Sequence, residues 1–446
     1  MFARQPPWPE GKNMIAHRSR YAGARRLLCI ATALAALCSL GAAQADSGNE
    51  FATWENALEG LHDISGDFTV RNIGRSSIAG DDVRVRLSNL YGTQSITIVK
   101  ATIGLQVNQA QPALFHDSLR KLTFNGGEES VTIGAGESAF SDPVHLRVAA
   151  RQNVAVSIYA PGAQINDHTF PAPELNPPGS FISGAGDHTS DVEGDSFPST
   201  LVFDNTRVPG WHPGELFWVD LIDVQAEARG TIVALGDSIT DGYQVNLGGN
   251  RWTDLLSDRI AALEPEQQKA IVNAGISGNT VSRQPNPYDP TNQCCGAPAP
   301  VRLEHDVLSV PGVTDVLLLE GTNDLGGDGA YPPSPASQVI GGMKEIVQRV
   351  HARGLRIVGA TVLPMCNAAG SAKEQNRLTV NAFIRSSGIF DGVIDWDAVM
   401  KDPADPTVIR AEWRHDCYHP NAIGDRKMAD AVDLRLFGIE EQGSDH

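Results

Sequence analysis

Hydrophobic and polar residues alternate along short runs through the first half of the chain. Residues 83–87 place valine and leucine between arginines, and residues 154–159 place valine and isoleucine between alanine, serine and tyrosine. Similar short runs lie at 68–70, 96–105, 131–133, 144–148 and 217–224. Glycine, proline, asparagine and aspartate separate these runs, which is typical of antiparallel strands joined by turns. We therefore predict an all-β, sandwich-like domain over residues 46–227.

The pattern changes at about residue 230, where continuous apolar runs alternate with stretches of helical periodicity. Predicted buried strands lie at 231–235, 270–272, 313–319, 355–363 and 393–395. Predicted helices lie at 252–263, 339–350 and 421–437. Strands that alternate with helices form a parallel sheet covered on both faces. Residues 228–446 are therefore predicted to be an α/β domain whose ligands bind beyond the carboxyl ends of the strands.

The first 45 residues have the composition of a secretory signal peptide. Arginines between residues 18 and 26 precede an apolar stretch at 27–40, and Ala43-Gln44-Ala45 supplies small residues for cleavage. An uncleaved anchor is the alternative for this segment. We predict export, so that the protein is secreted or periplasmic, and we predict no membrane span in the rest of the chain.

Charge narrows the set of expected partners. Residues 1–45 carry six Lys or Arg and one Glu, so their removal changes the formal net charge from −18 to −23. A strongly negative protein repels nucleic acid and anionic membrane surfaces. An uncharged small-molecule or polysaccharide substrate remains compatible with this charge.

Five residues with catalytic potential follow predicted strands or precede the last predicted helix. Ser238, Gly278 and Asn323 come after the first, second and third strands of the α/β half. Asp416 and His419 come just before the closing helix. Because ligand sites in such sheets lie at the carboxyl ends of the strands, we expect all five residues to converge at one edge.

These residue types supply what acyl transfer requires. A serine hydroxyl becomes an effective nucleophile when a base takes its proton, and His419 is the candidate base for Ser238. Asp416 would fix the tautomer of that imidazole and stabilise its protonated form. The backbone N–H groups of Ser238 and Gly278 and the side-chain amide of Asn323 would form an oxyanion hole. This chemistry needs no metal and no cofactor.

The segments that carry these residues resemble the sequence blocks of the GDSL, or SGNH, hydrolases. They are Gly-Asp-Ser-Ile at 236–239, the glycine block at 273–279, Gly-Thr-Asn-Asp at 321–324 and Asp-Cys-Tyr-His-Pro at 416–420. The resemblance covers about residues 230–438, with Ile239 where the family has leucine. It implies a three-layer, flavodoxin-like fold and the same five residues in the roles described above. The N-terminal β domain and the segments around Gly275 and Asn323 look more narrowly like the acetylxylan-esterase-like branch.

Cysteines and acidic residues near the strand ends allow further predictions. Cys417 lies between the candidate acid and base, and we predict that it forms a disulfide with Cys366, at the end of the fourth strand. Cys294 and Cys295 are adjacent and would form a vicinal bridge.

Four aspartates allow either a substrate contact or a structural role. For Asp237 and Asp324 we favour holding a loop or a helix end. For Asp395 and Asp397 we favour a solvated turn after a strand over a place in the pocket wall.

The sequence thus predicts a secreted serine esterase, a carboxylic ester hydrolase acting on short acyl groups, acetyl above all, of plant cell-wall polysaccharide such as xylan. A broad-specificity esterase or lysophospholipase-type lipase is the second enzyme hypothesis. A glycan-binding protein on an inactive hydrolase scaffold is a hypothesis of another class, and the complete catalytic set argues against it. For the N-terminal domain, glycan binding and a structural role beside the catalytic domain are equally open.

Overall fold

The computed structural model describes residues 49–62, 65–168, 179–197, 199–200, 215–243, 245, 249–282, 295–326 and 333–440. The predicted signal peptide, residues 1–45, and Cys294 lie outside the described residues, so both predictions about them stand as they were made.

Strands that pair mostly antiparallel make up the first half of the chain, as the alternation predicts. Their bounds are β1 (Glu50–Glu55), β2 (Gly60–His62), β3 (Phe68–Arg75), β4 (Asp81–Ser88), β5 (Ile96–Ile98), β6 (Lys100–Leu105), β7 (Arg120–Lys121), β8 (Val131–Ile133), β9 (Ser138–Phe140), β10 (Asn153–Tyr159), β11 (Ile165–His168), β12 (Ser180–Ala185), β13 (Ser199–Thr200), β14 (Leu216–Phe217) and β15 (Val219–Gln225). The two larger sheets have the strand orders β13-β12-β3-β10-β6-β7 and β1-β15-β4-β9. A sheet of order β14-β11-β2 and the pair β5-β8 accompany them. A single 3-10 turn, His116–Ser118, lies among these described strands.

The alternating apolar side chains of these strands share one core. Val83 in β4 and Val156 in β10 are both buried in the same hydrophobic cluster. Two predicted runs differ from the structure. Residues 144–148 form only isolated bridges, from Val144 to Val83 of β4 and from Val148 to Gly80, which precedes β4. The run 96–105 divides at Val99 into β5 and β6, which belong to different sheets.

A parallel sheet forms the centre of the second half. Its strands are β16 (Thr231–Gly236), β17 (Ala270–Gly275), β18 (Val313–Leu319), β19 (Arg356–Ala360) and β20 (Gly392–Ile394). The order β17-β16-β18-β19-β20 places the first strand between the second and the third, which is the flavodoxin-like order. In β16, Ile232 and Ala234 lie in one hydrophobic cluster, and Val233 and Leu235 lie in another. Because successive side chains of a strand point to opposite faces, the sheet is the middle of three layers.

Helices cover both faces of this sheet. Their bounds are α1 (Ser238–Asp241), α2 (Trp252–Ala261), α3 (Ala299–Leu303), α4 (Thr322–Gly326), α5 (Ala336–Ala352), α6 (Ala372–Ser386), α7 (Trp396–Met400) and α8 (Ala422–Asp430). A π-helical segment lies at Glu304–Leu308, and 3-10 turns lie at Pro265–Gln267, Ala411–Trp413 and Leu434–Phe437. Helices α3, α5 and α6 pack on one face, and α2, α7 and α8 pack on the other. The closing helix, predicted over 421–437, ends at Asp430 and is followed by the separate turn Leu434–Phe437. Within the described ranges, no helix has both the length and the apolar character needed to cross a membrane.

Strand β1 joins the two halves, which belong to one compact unit, Ser47–His446. Ala52 in β1 and Leu221 in β15 lie in the same hydrophobic cluster as Val233 of the parallel sheet. Just beyond β1, Asn56 forms a parallel bridge with Asn273 of β17. The first half thus contributes to the core of the second, and the boundary between residues 227 and 228 stays a prediction.

Candidate active site

Ser238 lies at a tight turn between β16 and α1. It is the first residue of α1, and the preceding Asp237 caps that helix by accepting a hydrogen bond from the Ile239 N–H at 3.0 Å. A side chain at Gly236 would bring a Cβ within 2.6 Å of the Cβ of Thr240. Only glycine therefore fits before the Asp-Ser pair, because the chain folds back on itself immediately after the strand.

Ser238, His419 and Asp416 form a continuous line of hydrogen bonds. The Ser238 Oγ lies 2.9 Å from the His419 Nε2, and the His419 Nδ1 lies 2.9 Å from the Asp416 Oδ2 and 3.0 Å from its Oδ1. A carboxylate only accepts, so Nδ1 carries the proton and Nε2 presents its lone pair to the serine hydroxyl. This is the arrangement in which an imidazole can remove the hydroxyl proton.

Asp416 is held as a carboxylate. Its Oδ1 also accepts hydrogen bonds from the backbone N–H groups of Tyr418 at 2.7 Å and His419 at 2.8 Å. Partial burial acts in the opposite direction, but the hydrogen bond and charge of His419 and these backbone donors hold the pKa of Asp416 well below its usual range. The Asp416 side chain keeps an exposed fraction of 38%, so water reaches it.

The loop that carries the imidazole is fixed from several sides. Cys417 forms a disulfide with Cys366, with a Cα–Cα distance of 5.2 Å, as predicted from the sequence. The ring of Tyr243 stacks on the His419 ring, with centroids 4.0 Å apart and an interplanar angle of 26°. The His415 N–H donates to the carbonyl oxygen of His419 at 2.9 Å. No sequence pattern pointed to the Tyr243 contact, because Tyr243 follows the serine helix and not the histidine loop.

Gly278 and Asn323 lie after β17 and β18, the two neighbours of the serine strand. Gly278 has φ +79°, and a Cβ there would lie 2.5 Å from the Cys295 Sγ. Both the backbone conformation and the close contact therefore require glycine. The Asn323 Nδ2 donates to the Asn279 carbonyl oxygen at 2.8 Å. Because an amide nitrogen carries two hydrogens, one remains for a ligand. The structure thus brings the five predicted residues to the same edge of the sheet.

Residues 234–427 match the model of the GDSL-like Lipase/Acylhydrolase family. The chain contains a GDSL-like acylhydrolase domain. Similar solved structures include a member of the lipolytic protein G-D-S-L family from Veillonella parvula DSM 2008, with 21% identity over 47% of this chain and 98% of that chain and a TM-score of 0.35. A variant of an acetyl xylan esterase from Geobacillus stearothermophilus has 20% identity over 49% of this chain and 98% of that chain, with a TM-score of 0.38. No curated protein matches this chain significantly.

A buried arginine in the GDSL-like domain, which the sequence reasoning missed, connects the strand ends. The Arg302 guanidinium donates to the Asn279 Oδ1 at 3.0 Å, to the Ala274 carbonyl oxygen at 2.8 Å and to the Gly236 carbonyl oxygen at 3.0 Å. It also pairs with Asp306 at 3.0 Å. Arg302 thereby holds Asn279, the residue that follows Gly278 and accepts from Asn323. The sequence offered one indirect signal for this contact. Asn279 directly follows the candidate oxyanion glycine, so a residue that holds Asn279 was to be expected.

Asp237 and Asp324 have structural roles in the GDSL-like domain. Asp237 caps α1, and burial raises its pKa to about 6. The Asp324 carboxylate accepts from the Val281 N–H at 2.9 Å and from the Ser282 N–H at 3.0 Å. Asp324 therefore ties the start of α4 to the chain that follows Gly278.

Asp395 and Asp397 belong to an ion-pair cluster around α7. Both carboxylates lie 2.6 Å from the Arg385 guanidinium, and Asp395 also caps α7 by accepting from the Ala398 N–H. Asp397 is buried and also pairs with Arg377. The predicted turn is therefore correct for Asp395, whereas Asp397 is not solvated.

Proposed function

We propose that this protein is a secreted serine esterase that removes short acyl groups, acetyl above all, from a plant cell-wall polysaccharide such as xylan. The observation that carries the proposal is the unbroken line from the Ser238 Oγ through His419 to Asp416, with 2.9 Å at each step. Its placement beside Gly278 and Asn323 supports acyl transfer, because a nucleophile, a base and oxyanion donors are then available at one edge.

The proposed first step forms an acyl-enzyme. The Ser238 Oγ bonds to the acyl carbon while the His419 Nε2 takes the hydroxyl proton. The carbonyl oxygen becomes an oxyanion, which the N–H groups of Ser238 and Gly278 and the Asn323 amide stabilise. When the tetrahedral intermediate collapses, the C–O bond to the alcohol breaks and His419 returns the proton to the departing alkoxide.

The proposed second step repeats this chemistry with water. Water gives a proton to His419 as its oxygen bonds to the acyl carbon. The ester bond to Ser238 then breaks, the serine recovers a proton and the carboxylic acid leaves. Asp416 stays ionised throughout and stabilises the imidazolium that forms twice in each cycle.

Support for a polysaccharide acetyl ester comes from three features of the sequence. The predicted signal peptide would export the chain from the cytoplasm. Polysaccharide substrates are found outside the cytoplasm. The negative charge that remains after residue 45 favours an uncharged substrate over an anionic one. The segments around Gly275 and Asn323 resemble those of the acetylxylan-esterase-like branch.

Hydrolysis of p-nitrophenyl acetate tests the reaction class. We expect turnover by the wild type, a loss of at least about 10³-fold in Ser238→Ala because the nucleophile is absent, and wild-type rates in Ser257→Ala. Ser257 is a matched control because it is a buried serine in α2, outside the site. Equal turnover by Ser238→Ala and wild type contradicts the proposed mechanism, and no turnover by the wild type favours an inactive, glycan-binding scaffold.

A panel of esters tests the substrate class. We expect acetate release from acetylated xylan and a fall in kcat/KM as the acyl chain of p-nitrophenyl esters lengthens. Equal or higher kcat/KM on long-chain esters or lysophospholipid assigns the protein to the broad esterase and lipase hypothesis instead. Activity on acetylated monosaccharides but not on acetylated xylan supports the acetylesterase hypothesis and rejects polysaccharide as the substrate.

A further inference from the structure

A histidine from the first half of the chain reaches into the GDSL-like domain. His168, at the end of β11, is 1% exposed and lies outside residues 234–427. Its Nδ1 lies 2.7 Å from the Ala57 carbonyl oxygen, and its Nε2 lies 3.1 Å from the Asp241 Oδ1. Both ring nitrogens face acceptors, so both carry protons and the side chain is an imidazolium.

Asp241 connects His168 to the candidate oxyanion segment through hydrogen bonds to Ser277. It is the last residue of α1, the short helix that Ser238 begins. Its Oδ2 accepts from the Ser277 hydroxyl at 2.7 Å and from the Ser277 N–H at 3.2 Å. Ser277 directly precedes Gly278. One carboxylate therefore links the serine helix, the glycine segment and the buried histidine.

Charge makes this link dependent on His168. The side chains of His168 and Asp241 are each 1% exposed, and a buried carboxylate is costly unless a cation and hydrogen bonds compensate it. Burial disfavours the charged imidazole, but the carboxylates of Asp241 and Glu59 and the carbonyl oxygen of Ala57 together outweigh that effect and raise the pKa of His168. The pair is therefore a buried ion pair between the first half of the chain and the serine helix.

Close packing transmits a shift of Asp241 to its neighbours. A Cβ at Gly275, the last residue of β17, would collide with the backbone of Asp241. The Asn273 Nδ2 donates to the Thr240 carbonyl oxygen at 2.6 Å. Helix α1 and the end of β17 thus touch through backbone atoms, so an altered position of α1 displaces the segment that leads to Gly278.

We propose that His168 is a positioning residue that, through Asp241 and Ser277, sets the distance between the Ser238 and Gly278 N–H groups that hold the oxyanion. This inference rests on the proposed esterase function. It gives the first half of the chain a part in catalysis itself, rather than in glycan binding. A displacement of about 1 Å among catalytic groups costs up to about 10²-fold in rate, so a loosened link acts on kcat.

Steady-state kinetics of p-nitrophenyl acetate hydrolysis by full-length His168→Gln, Ser277→Ala and the double variant test the inference. Glutamine retains a donor but not the charge, and Ser277→Ala removes one hydroxyl without altering the ion pair. We expect each single variant to lose about 10-fold to 100-fold in kcat, with KM within about twofold of wild type. The double variant should lose little more than the worse single variant, because both changes break one chain of contacts.

His145→Ala is the control, since His145 is an exposed histidine of the same half, and it should keep wild-type kcat. Thermal unfolding identifies any variant that does not fold, and if His168→Gln fails to fold, Ser277→Ala alone decides. Wild-type kcat in a folded Ser277→Ala or His168→Gln variant overturns the inference, as does a fully additive double variant. Those results leave the proposed function intact, whereas the absence of turnover by wild type rejects the proposed function.

Discussion

The Asp416→Asn variant keeps the shape of the side chain and removes its charge. In the native site the Asp416 Oδ1 accepts from the backbone N–H groups of Tyr418 and His419, at 2.7 and 2.8 Å. An asparagine would keep its carbonyl oxygen on those two donors. Its NH₂ group would then occupy the place of Oδ2, which lies 2.9 Å from the His419 Nδ1.

That NH₂ group reverses the tautomer of the imidazole. It is a donor, whereas the retained oxygen, although 3.0 Å from Nδ1, already accepts from two backbone N–H groups. Nδ1 therefore becomes the acceptor for the NH₂ group, and the ring proton moves to Nε2. The Nε2 nitrogen lies 2.9 Å from the Ser238 Oγ. In the neutral ring that carries its proton on Nε2, this nitrogen has no lone pair with which to accept the hydroxyl proton. The variant therefore keeps every heavy atom in place and loses the base.

The magnitude follows from the geometry and the exposure of the site. The same loss of tautomer in a buried Ser-His-Asp triad costs about 10⁴-fold in kcat. Asp416 is 38% exposed, so water partly compensates, and we expect a loss of about 10³-fold. This loss corresponds to about 4 kcal/mol of transition-state stabilisation.

Steady-state hydrolysis of p-nitrophenyl acetate above neutral pH measures this loss. Asp405→Asn is the matched control, because Asp405 also accepts from a backbone N–H and a hydroxyl in a turn, both from Thr407. It removes the same charge and should leave kcat unchanged. A kcat for Asp416→Asn within about threefold of wild type would refute the tautomer reasoning.

Four further outcomes are expected. In Gly278→Ala, the alanine must adopt a φ of +79° with its Cβ 2.5 Å from the Cys295 Sγ, which should displace the oxyanion segment. Steady-state kinetics of the folded variant should show kcat lowered by about 10²–10³-fold. The pKa of Asp416 is held well below its usual range, so its carboxyl should stay ionised from about pH 5 to 8; an Asp416 carboxyl resonance that titrates within that interval in an NMR experiment contradicts this. His305, in the segment Glu304–Leu308, lies beside the carboxylates of Asp220 and Asp306. Burial opposes protonation of His305, but these two carboxylates raise its pKa to about 9. Its stabilising contribution is thus complete below about pH 6.5 and disappears as the pH rises through 9, so urea unfolding should show wild type losing on the order of 3 kcal/mol more than His305→Gln across that interval. A chain that begins at residue 228 lacks the core side chains of β1 and β15 and should show no cooperative unfolding transition by calorimetry, whereas a normal transition contradicts the shared core.

The sequence by itself determined the fold class and identified the candidate residues that meet at one edge of the parallel sheet. Ser238, Gly278 and Asn323 each follow a continuous apolar run, and such runs in an alternating strand–helix pattern form a parallel sheet whose carboxyl ends share one edge. The three-residue spacing of Asp416 and His419 placed acid and base on one turn. These inferences succeeded because period and spacing are local properties, which do not depend on how distant segments pack.

Only the tertiary structure decided which distant residues support those groups. His168 and Asp241 are 73 positions apart, yet they form one buried ion pair. Arg302 reaches the ends of two strands from a helix of weak pattern. A lone buried histidine or arginine has no period in the sequence, and its partner is set by the order of strands and the packing of β1 along β17. The free energy that makes these ions tolerable comes from several hydrogen bonds made at once, and those bonds exist only after the chain has folded.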